Sequence, residues 1–178
     1  MARQYWVTPI PSWSTSDGAA LANSVTLTDV SPTPQITLPA NQLEIGSEVE
    51  IDAFGAFSTT GTPTLLLGIY YGGVAGVALA ASSAVTTGSA AASWPWMLHY
   101  RGFVRAGGTS GSIVGQGRFY LGTSLTAFSV RPIPETLAAR TVAIDTTAAK
   151  TVTVGAQWGT ANASNTVTCN GISVKLVN

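Results

Sequence analysis

The sequence predicts an all-β protein, built as an antiparallel sandwich or barrel of about eight strands. Three observations lead to this prediction. Apolar residues recur at every second position in many short segments, which is the period of a strand with one buried face. Turn formers, above all 19 Gly and 9 Pro, separate these segments. No window shows sustained apolar spacing at three and four residues, so the helix signal is almost absent.

The first half of the chain shows three kinds of strand pattern. A short strand is predicted at 25–30, because the turn-forming residues 31–34 close it. Residues 48–53 alternate acidic and apolar side chains, which predicts a half-buried strand with an acidic outer face. Residues 64–71 form a nearly continuous apolar run, which predicts a strand covered on both faces.

The second half predicts a hairpin and two further strands. Residues 97–105 and 112–120 flank a Gly-rich loop at 106–111, the pattern of two antiparallel strands joined by a flexible turn. Alternation from Lys150 to Trp158 predicts the next strand. In the last strand the apolar positions switch from odd to even at Asn170-Gly171, which predicts a bulge or a tight turn there.

Composition bounds the size of the fold and the surroundings of the protein. The chain has 178 residues, of which 46% are hydrophobic and 9% charged. This favours a single folded domain at 17–178 behind an N-terminal arm at 1–16. So few charges predict that much of the surface is covered by copies of the chain or by a larger assembly. Eight basic residues balance eight acidic ones, which gives no indication of nucleic-acid binding.

Neither a membrane segment nor an oxidising compartment is indicated. Residues 65–85 are mostly apolar, but four glycines interrupt them and no Lys/Arg cluster marks an end, so membrane insertion is not expected. The single Cys169 excludes an internal disulfide.

Five segments carry a resemblance to a known group of proteins, and together they span roughly residues 17–178: 38–46, 54–59, 63–72, 144–158 and 162–178. Their order resembles the jelly-roll virion proteins of tailed bacteriophages, which include capsid decoration and spike proteins and tail-fibre or baseplate modules. The resemblance implies a two-sheet jelly roll, a homotrimer, and a place in a virion assembled in the host cytoplasm. Its partners would be the major capsid protein or other virion proteins.

Two functions follow from this resemblance as expectations, and neither includes catalysis. The first is a capsid decoration or spike protein that binds the outside of the head and stabilises it or projects from it. The alternative is a host-recognition module at a tail tip or fibre that binds a host-surface glycan. A weaker third alternative is a lectin-like domain outside any virion. Small size and the absence of a long fibrous repeat favour decoration over a fibre shaft.

The N-terminal arm and an aromatic-rich set of strand residues are the candidate binding elements. Tyr5, Trp6 and Trp13 lie in the arm. One expectation is that they dock into a neighbouring molecule, because such side chains anchor interfaces; the alternative is a tucked or frayed terminus. A second set is a candidate platform for stacking against sugar rings; core or interface packing is its ordinary alternative. This set comprises Tyr70, Tyr71, Trp94 and Trp96.

Glu48, Glu50 and Asp52 recur at two-residue spacing, so their side chains share one face of a strand. The favoured interpretation is a ladder of ion pairs with Arg101 and Arg105, because opposite charges across strands stabilise a sheet by roughly 0.2–1 kcal/mol per pair. The alternatives are a calcium site or the carboxylate pair of a glycosidase.

No catalytic residue, resident metal or cofactor is predicted. His99 is the only histidine, and we expect it to be a strand residue near aromatic side chains. Cys169 lies in a strand pattern far along the chain, so a Cys/His pair has little support. No Gly-x-Ser-x-Gly elbow is present.

Overall fold

The computed structural model describes the backbone of residues 7–9 and, in full, residues 14–124 and 126–177. Two antiparallel sheets pack against each other in this part of the chain, which confirms the prediction of an all-β sandwich. The described residues contain one short 3₁₀ turn, Ala138–Arg140, and no α-helix. Accordingly, none of them belongs to a helix with the length and apolar character needed to cross a membrane.

Eight strands make up the larger sheet. In chain order they are β1 (Val7–Pro9), β2 (Leu21–Ala22), β5 (Glu48–Ser58), β9 (Trp94–Ala106), β10 (Gly111–Ser124), β11 (Ala127–Ile133), β12 (Thr141–Ile144) and β14 (Thr166–Val177). Their main order across the sheet is β1-β14-β5-β9-β10-β11, with β2 paired to β14 and β12 paired to β10. The long strands β14, β5, β9 and β10 form its centre.

Six strands make up the smaller sheet. They are β3 (Thr28–Asp29), β4 (Ile36–Leu38), β6 (Thr64–Tyr71), β7 (Val77–Ala81), β8 (Val85–Thr86) and β13 (Lys150–Trp158). The main order is β3-β13-β6-β7, with β4 paired to β13 and β8 paired to β6. The described chain thus contains more strands than the eight that the sequence predicts. The strand predicted at 25–30 is present only as the two residues of β3. Strands of two or three residues such as β2 and β4 are too short to show an alternating pattern.

The long strands follow the predicted alternation. Buried and less buried residues alternate along almost the whole of β5 and β9, so one face of each contacts the core and the other faces outward. β9 and β10 form the predicted hairpin. In β14 the register with β5 shifts between Cys169 and Gly171, which confirms the predicted bulge and places both apolar sets on the inner face.

The core lies between the two sheets and contains the largest buried side chains, among them Trp96, Tyr100 and Trp158. Indole N–H groups in the core have partners: Trp96 Nε1 donates to the Thr168 carbonyl oxygen at 3.2 Å. Strand β6 is buried on both faces from Leu67 to Tyr71, as its continuous apolar run predicts.

Within the predicted arm at 1–16, the described residues include one short strand. Val7–Pro9 pair with β14 at the edge of the larger sheet, with Val7 opposite Val177. The three aromatic residues proposed as interface anchors, Tyr5, Trp6 and Trp13, lie outside the described residues, so their docking stays a prediction.

Candidate functional site

The outward face of the larger sheet is the most chemically varied surface of the described chain. On the central strands this face is formed by side chains at alternate positions: Glu48, Glu50, Asp52 and Phe54 of β5, Met97, His99, Arg101, Phe103 and Arg105 of β9, Gln116, Arg118 and Tyr120 of β10, and Lys175 of β14. Register then decides which of them are neighbours. Glu50 lies between Lys175 and Arg101, and Asp52 lies beside His99, whose other neighbour is Arg118.

Each of the three carboxylates on β5 has a cationic or histidine partner. Arg101 contacts Glu48 through two nitrogens, with Nη2 donating to Oε2 at 2.8 Å, and this hydrogen bonding raises the pKa of the arginine above its ordinary value. His99 Nδ1 lies 2.7 Å from Asp52 Oδ1. Lys175 Nζ lies 3.5 Å from Glu50 Oε2.

These contacts confirm part of the predicted ladder of ion pairs. The predicted pairing with arginine is confirmed for Arg101. Arg105 has no acidic partner within the described residues. Two further partners, His99 of β9 and Lys175 of β14, were not predicted from the sequence.

A cation site is the alternative function of the three carboxylates on β5. Ligand atoms of Glu50, Asp52 and His99 all lie within 4.8 Å of one another, a spacing compatible with a divalent ion. However, His99 Nδ1 already contacts the Asp52 carboxylate at hydrogen-bond distance. The calcium site therefore stays a prediction, as does the carboxylate pair of a glycosidase.

Beside the acidic strand, basic side chains surround a cavity of about 620 Å³. We name it the arginine depression; its lining includes His99, Arg101, Gln116, Arg118 and Arg131. Arg131 Nη1 lies 3.6 Å from Glu135 Oε1. Arg118 is exposed and makes no ion pair within the described part of the chain.

A second cavity of about 370 Å³ adjoins the arginine depression and shares Arg101 and Gln116 with it. Arg105 and Arg140 complete the basic lining of this second cavity. The Nε of Arg140 is buried and has no hydrogen-bond partner among the described residues. Five of the eight Lys and Arg residues of the chain therefore line these two neighbouring cavities.

On its other side the arginine depression borders an apolar cleft of about 270 Å³. We define the apolar cleft by its lining residues, which are Pro95, Trp96, Met97, Tyr120 and Phe128. Large apolar side chains around it are exposed to an unusual degree: Phe54 54%, Met97 55%, Phe128 58% and Val130 54%. Phe54, Met97, Tyr120 and Val130 occupy one row across four strands. A row of this kind is typical of a binding surface.

The four strand aromatics proposed as a sugar platform do not form one surface. Tyr70 is 7%, Tyr71 4% and Trp96 1% exposed. The tyrosines lie in the smaller sheet and the tryptophans in the larger sheet. Trp94 is half-buried and makes an edge-to-face contact with Phe57, with ring centroids 6.3 Å apart. This corrects the platform interpretation: these rings stabilise the fold, and Trp96 contributes only a nearly buried edge to the apolar cleft. The exposed aromatic side chains of the outward face include Phe54 and Phe128, and Tyr120 is half-buried beside Phe128.

No pattern in the sequence shows that Arg118, Arg131 and Arg140 belong to neighbouring cavities of one surface. A partial signal was present in the predicted β9–β10 hairpin, but the register that brings position 118 opposite His99 also depends on a shift between Ser112 and Ile113. Arg131 lies on β11 and Arg140 on the turn just before β12, and both of these strands pair with β10. No local pattern marks that arrangement.

No protein-family model matches this chain, and no curated protein or solved structure matches it.

Proposed function

We propose that this protein is a non-catalytic structural protein of a tailed-phage particle. It binds the outside of the head as a trimer and stabilises the shell or projects from it. The sandwich is of the jelly-roll type, a proposal supported by the way the chain alternates between the two sheets. It passes from β4 of the smaller sheet to β5 of the larger and back to β6, and again from β12 to β13 to β14.

The observation that carries the proposal is the unequal division of charge between the sheets. Strands of the smaller sheet contain two charged residues, Asp29 and Lys150. Strands of the larger sheet contain eight: Glu48, Glu50, Asp52, Arg101, Arg105, Arg118, Arg131 and Lys175. Burying a charge in an interface costs free energy unless the charge is paired. Central strands of the smaller sheet are buried on both faces, and the edge strand β7 has exposed residues at its start. This nearly neutral edge is therefore the part that we propose for attachment to other proteins, and the charged outward face of the larger sheet suits exposure to solvent.

The copy number per particle tests this function. Purified particles of the phage that encodes the chain are separated by denaturing electrophoresis, and the protein is quantified against the major capsid protein. Hundreds of copies support attachment to the head lattice. A few copies contradict head decoration and favour a tail position. Absence from the particle refutes the virion function.

A pair of variants tests which side attaches. Val77 in β7 of the smaller sheet is 41% exposed, and Val130 in β11 of the larger sheet is 54% exposed, so Lys at either position leaves the core intact. We expect Val77→Lys to reduce the amount of protein bound to particles and Val130→Lys to leave it unchanged. Equal binding of the two variants contradicts attachment through the smaller-sheet side.

The second candidate function is a host-recognition module at a tail tip or fibre. The observation that favours it is the position of the arginine depression next to the apolar cleft, both on the charged side of the protein. A site that combines charged hydrogen-bond donors with an exposed aromatic surface is suited to binding a glycan.

A further inference from the structure

The outward face of the larger sheet has more basic groups than its own acids use. Glu48, Glu50 and Asp52 are paired with Arg101, Lys175 and His99 respectively. Further arginines remain on this face, and Arg118 and Arg105 have no acidic partner among the residues that the structure describes. Because so few residues in the chain are charged, this local surplus attracts an anionic ligand.

Within this face, the arginine depression gathers donors into one concave site. Arg118 projects outward from β10 and the Gln116 side chain lines the same cavity, whereas Arg131 of β11, which lies opposite the inward-facing Phe119, borders the cavity from the edge of the sheet. A guanidinium presents two parallel N–H groups that match the two oxygens of a carboxylate. The site therefore suits a group with a planar negative charge.

An apolar surface lies next to the arginine depression, two residues further along β10 and β9. Tyr120 is the next outward residue after Arg118 on β10, and Met97 is the next after His99 on β9. Two residues along a strand span about 6.8 Å, close to the width of one sugar ring. A ligand whose charged group meets Arg118 thus places a neighbouring ring on Tyr120 and Phe128, where its C–H groups pack against the aromatic faces.

The charges around the site favour a ligand with isolated negative groups over a polyanion. The Glu48, Glu50 and Asp52 row lies beside the depression on one side, and Glu135 lies beside Arg131 on the other. A nucleic acid strand leaving the depression would meet these carboxylates and be repelled. An acidic saccharide carries one carboxylate per acidic sugar and neutral rings between, so it avoids this repulsion.

We propose that the arginine depression and the apolar cleft together bind an acidic saccharide. Its carboxylate lies against Arg118, with Gln116 donating to a neighbouring oxygen, and its sugar ring packs on Tyr120 and Phe128. This inference rests on the second candidate function and narrows its ligand from glycans in general to acidic ones.

Titration calorimetry on the purified full-length protein tests the inference with four probes: sialyllactose, a hyaluronan tetrasaccharide, lactose and an oligothymidylate. We expect at least one of the two acidic saccharides to bind, lactose to bind at least tenfold more weakly, and binding to weaken as salt is added. Failure of both acidic saccharides to bind overturns the proposal, as does equal binding of lactose. Tighter binding of the oligothymidylate also overturns it, in favour of a nucleic-acid ligand.

Matched variants locate the site. We expect Arg118→Gln to weaken binding of the acidic probe about tenfold, the loss of one charge-assisted contact. Arg105→Gln removes an exposed arginine of the same face from outside the arginine depression and is expected to leave affinity unchanged. Phe128→Ala shortens an exposed side chain and is expected to weaken binding by a similar factor.

Equal effects of the two arginine variants refute this placement of the site, because they indicate attraction by net charge alone. Arg118→Lys keeps the charge but loses the planar fork, so it is expected to bind more weakly than wild type; unchanged affinity also counts against the proposal. Circular dichroism confirms that each variant is folded. Copy number on the particle is a separate measurement, so failure of saccharide binding and failure of the virion function are distinguishable.

Discussion

The hydroxyl of Tyr100 is predicted to destabilise the protein. Tyr100 lies on the inner face of β9 and is 0% exposed, and its Oη has no hydrogen-bond partner among the described residues. The hydroxyl lies over two glycines, and a β-carbon built at Gly115 would lie 2.2 Å from it. Burial of this phenol also raises its pKa well above the ordinary value. We therefore expect Tyr100→Phe to stabilise the fold.

The size of this effect follows from the missing hydrogen bond. A buried polar group without a partner costs roughly 1–3 kcal/mol relative to its hydrated state. Removing the oxygen also removes its van der Waals contacts in the tightly packed space over Gly115, which offsets part of the gain. We expect the free energy of unfolding to rise by about 1 kcal/mol, which corresponds to an increase in Tm of about 2–4 °C for a chain of this length.

Tyr71→Phe is the matched control, because it makes the same chemical change at a tyrosine that has a partner. Tyr71 Oη donates to the Asp145 carbonyl oxygen at 2.8 Å. Loss of this hydrogen bond is expected to lower the free energy of unfolding by about 1 kcal/mol. Both variants are measured by urea denaturation followed by tryptophan fluorescence, and by scanning calorimetry. If Tyr100→Phe destabilises the protein as much as Tyr71→Phe does, the Tyr100 hydroxyl has a partner and the reasoning is refuted.

Three further predictions concern the core. Gly115→Ala places a methyl group against the Tyr100 ring and is expected to lower the free energy of unfolding by about 1–3 kcal/mol or more. In the control variant Gly107→Ala the added β-carbon has its nearest neighbour atom 3.7 Å away, so this change is expected to be close to neutral. Equal urea midpoints for the two variants would contradict the packing described. Burial raises the pKa of the Cys169 thiol to about 12. A chromogenic disulfide reagent at about pH 8 is therefore expected to react with this thiol only as fast as the protein unfolds. Fast labelling of the folded protein would show that the thiol is accessible and would contradict this prediction. Burial, with the nearby negative charge of Asp145, raises the pKa of Tyr71 to about 12 from 10.0. The folded state thus favours the protonated phenol. The stability that this preference contributes is complete below about pH 9 and is lost as pH rises through about 10 toward 12. Urea midpoints that stay constant up to about pH 11 would contradict this last prediction.

Most of the secondary structure was predictable because it depends on local periodicity. The alternation at 48–53 predicts β5 with its acidic outer face, and the glycine-rich loop at 106–111 predicts the β9–β10 hairpin. The switch of apolar parity at Asn170-Gly171 predicts the bulge in β14. In each case the pattern arises within a few residues, where successive side chains of a strand point to opposite faces.

The composition of the candidate site was less predictable. Strand order decides which basic side chains pair with the acids of β5. Lys175, for example, contacts Glu50 because β14 pairs with β5, although the two residues are far apart in the chain. The aromatics were misassigned for the same reason. Period-two alternation places Trp96 on one face of β9, but it does not say whether the other sheet covers that face.

The sequence by itself determined that this chain is all-β, which residues share a strand face, and that charge is scarce. Those properties depend on composition and on contacts between near neighbours in the chain. Only the tertiary structure decided that five basic residues line two adjoining cavities and that Phe128 is exposed and Tyr120 half-buried beside them. It also decided that Tyr70, Tyr71 and Trp96 are buried. The physical reason is that register between distant strands and the stacking of two sheets depend on long-range packing, and a shift of one residue would exchange the inner and outer faces.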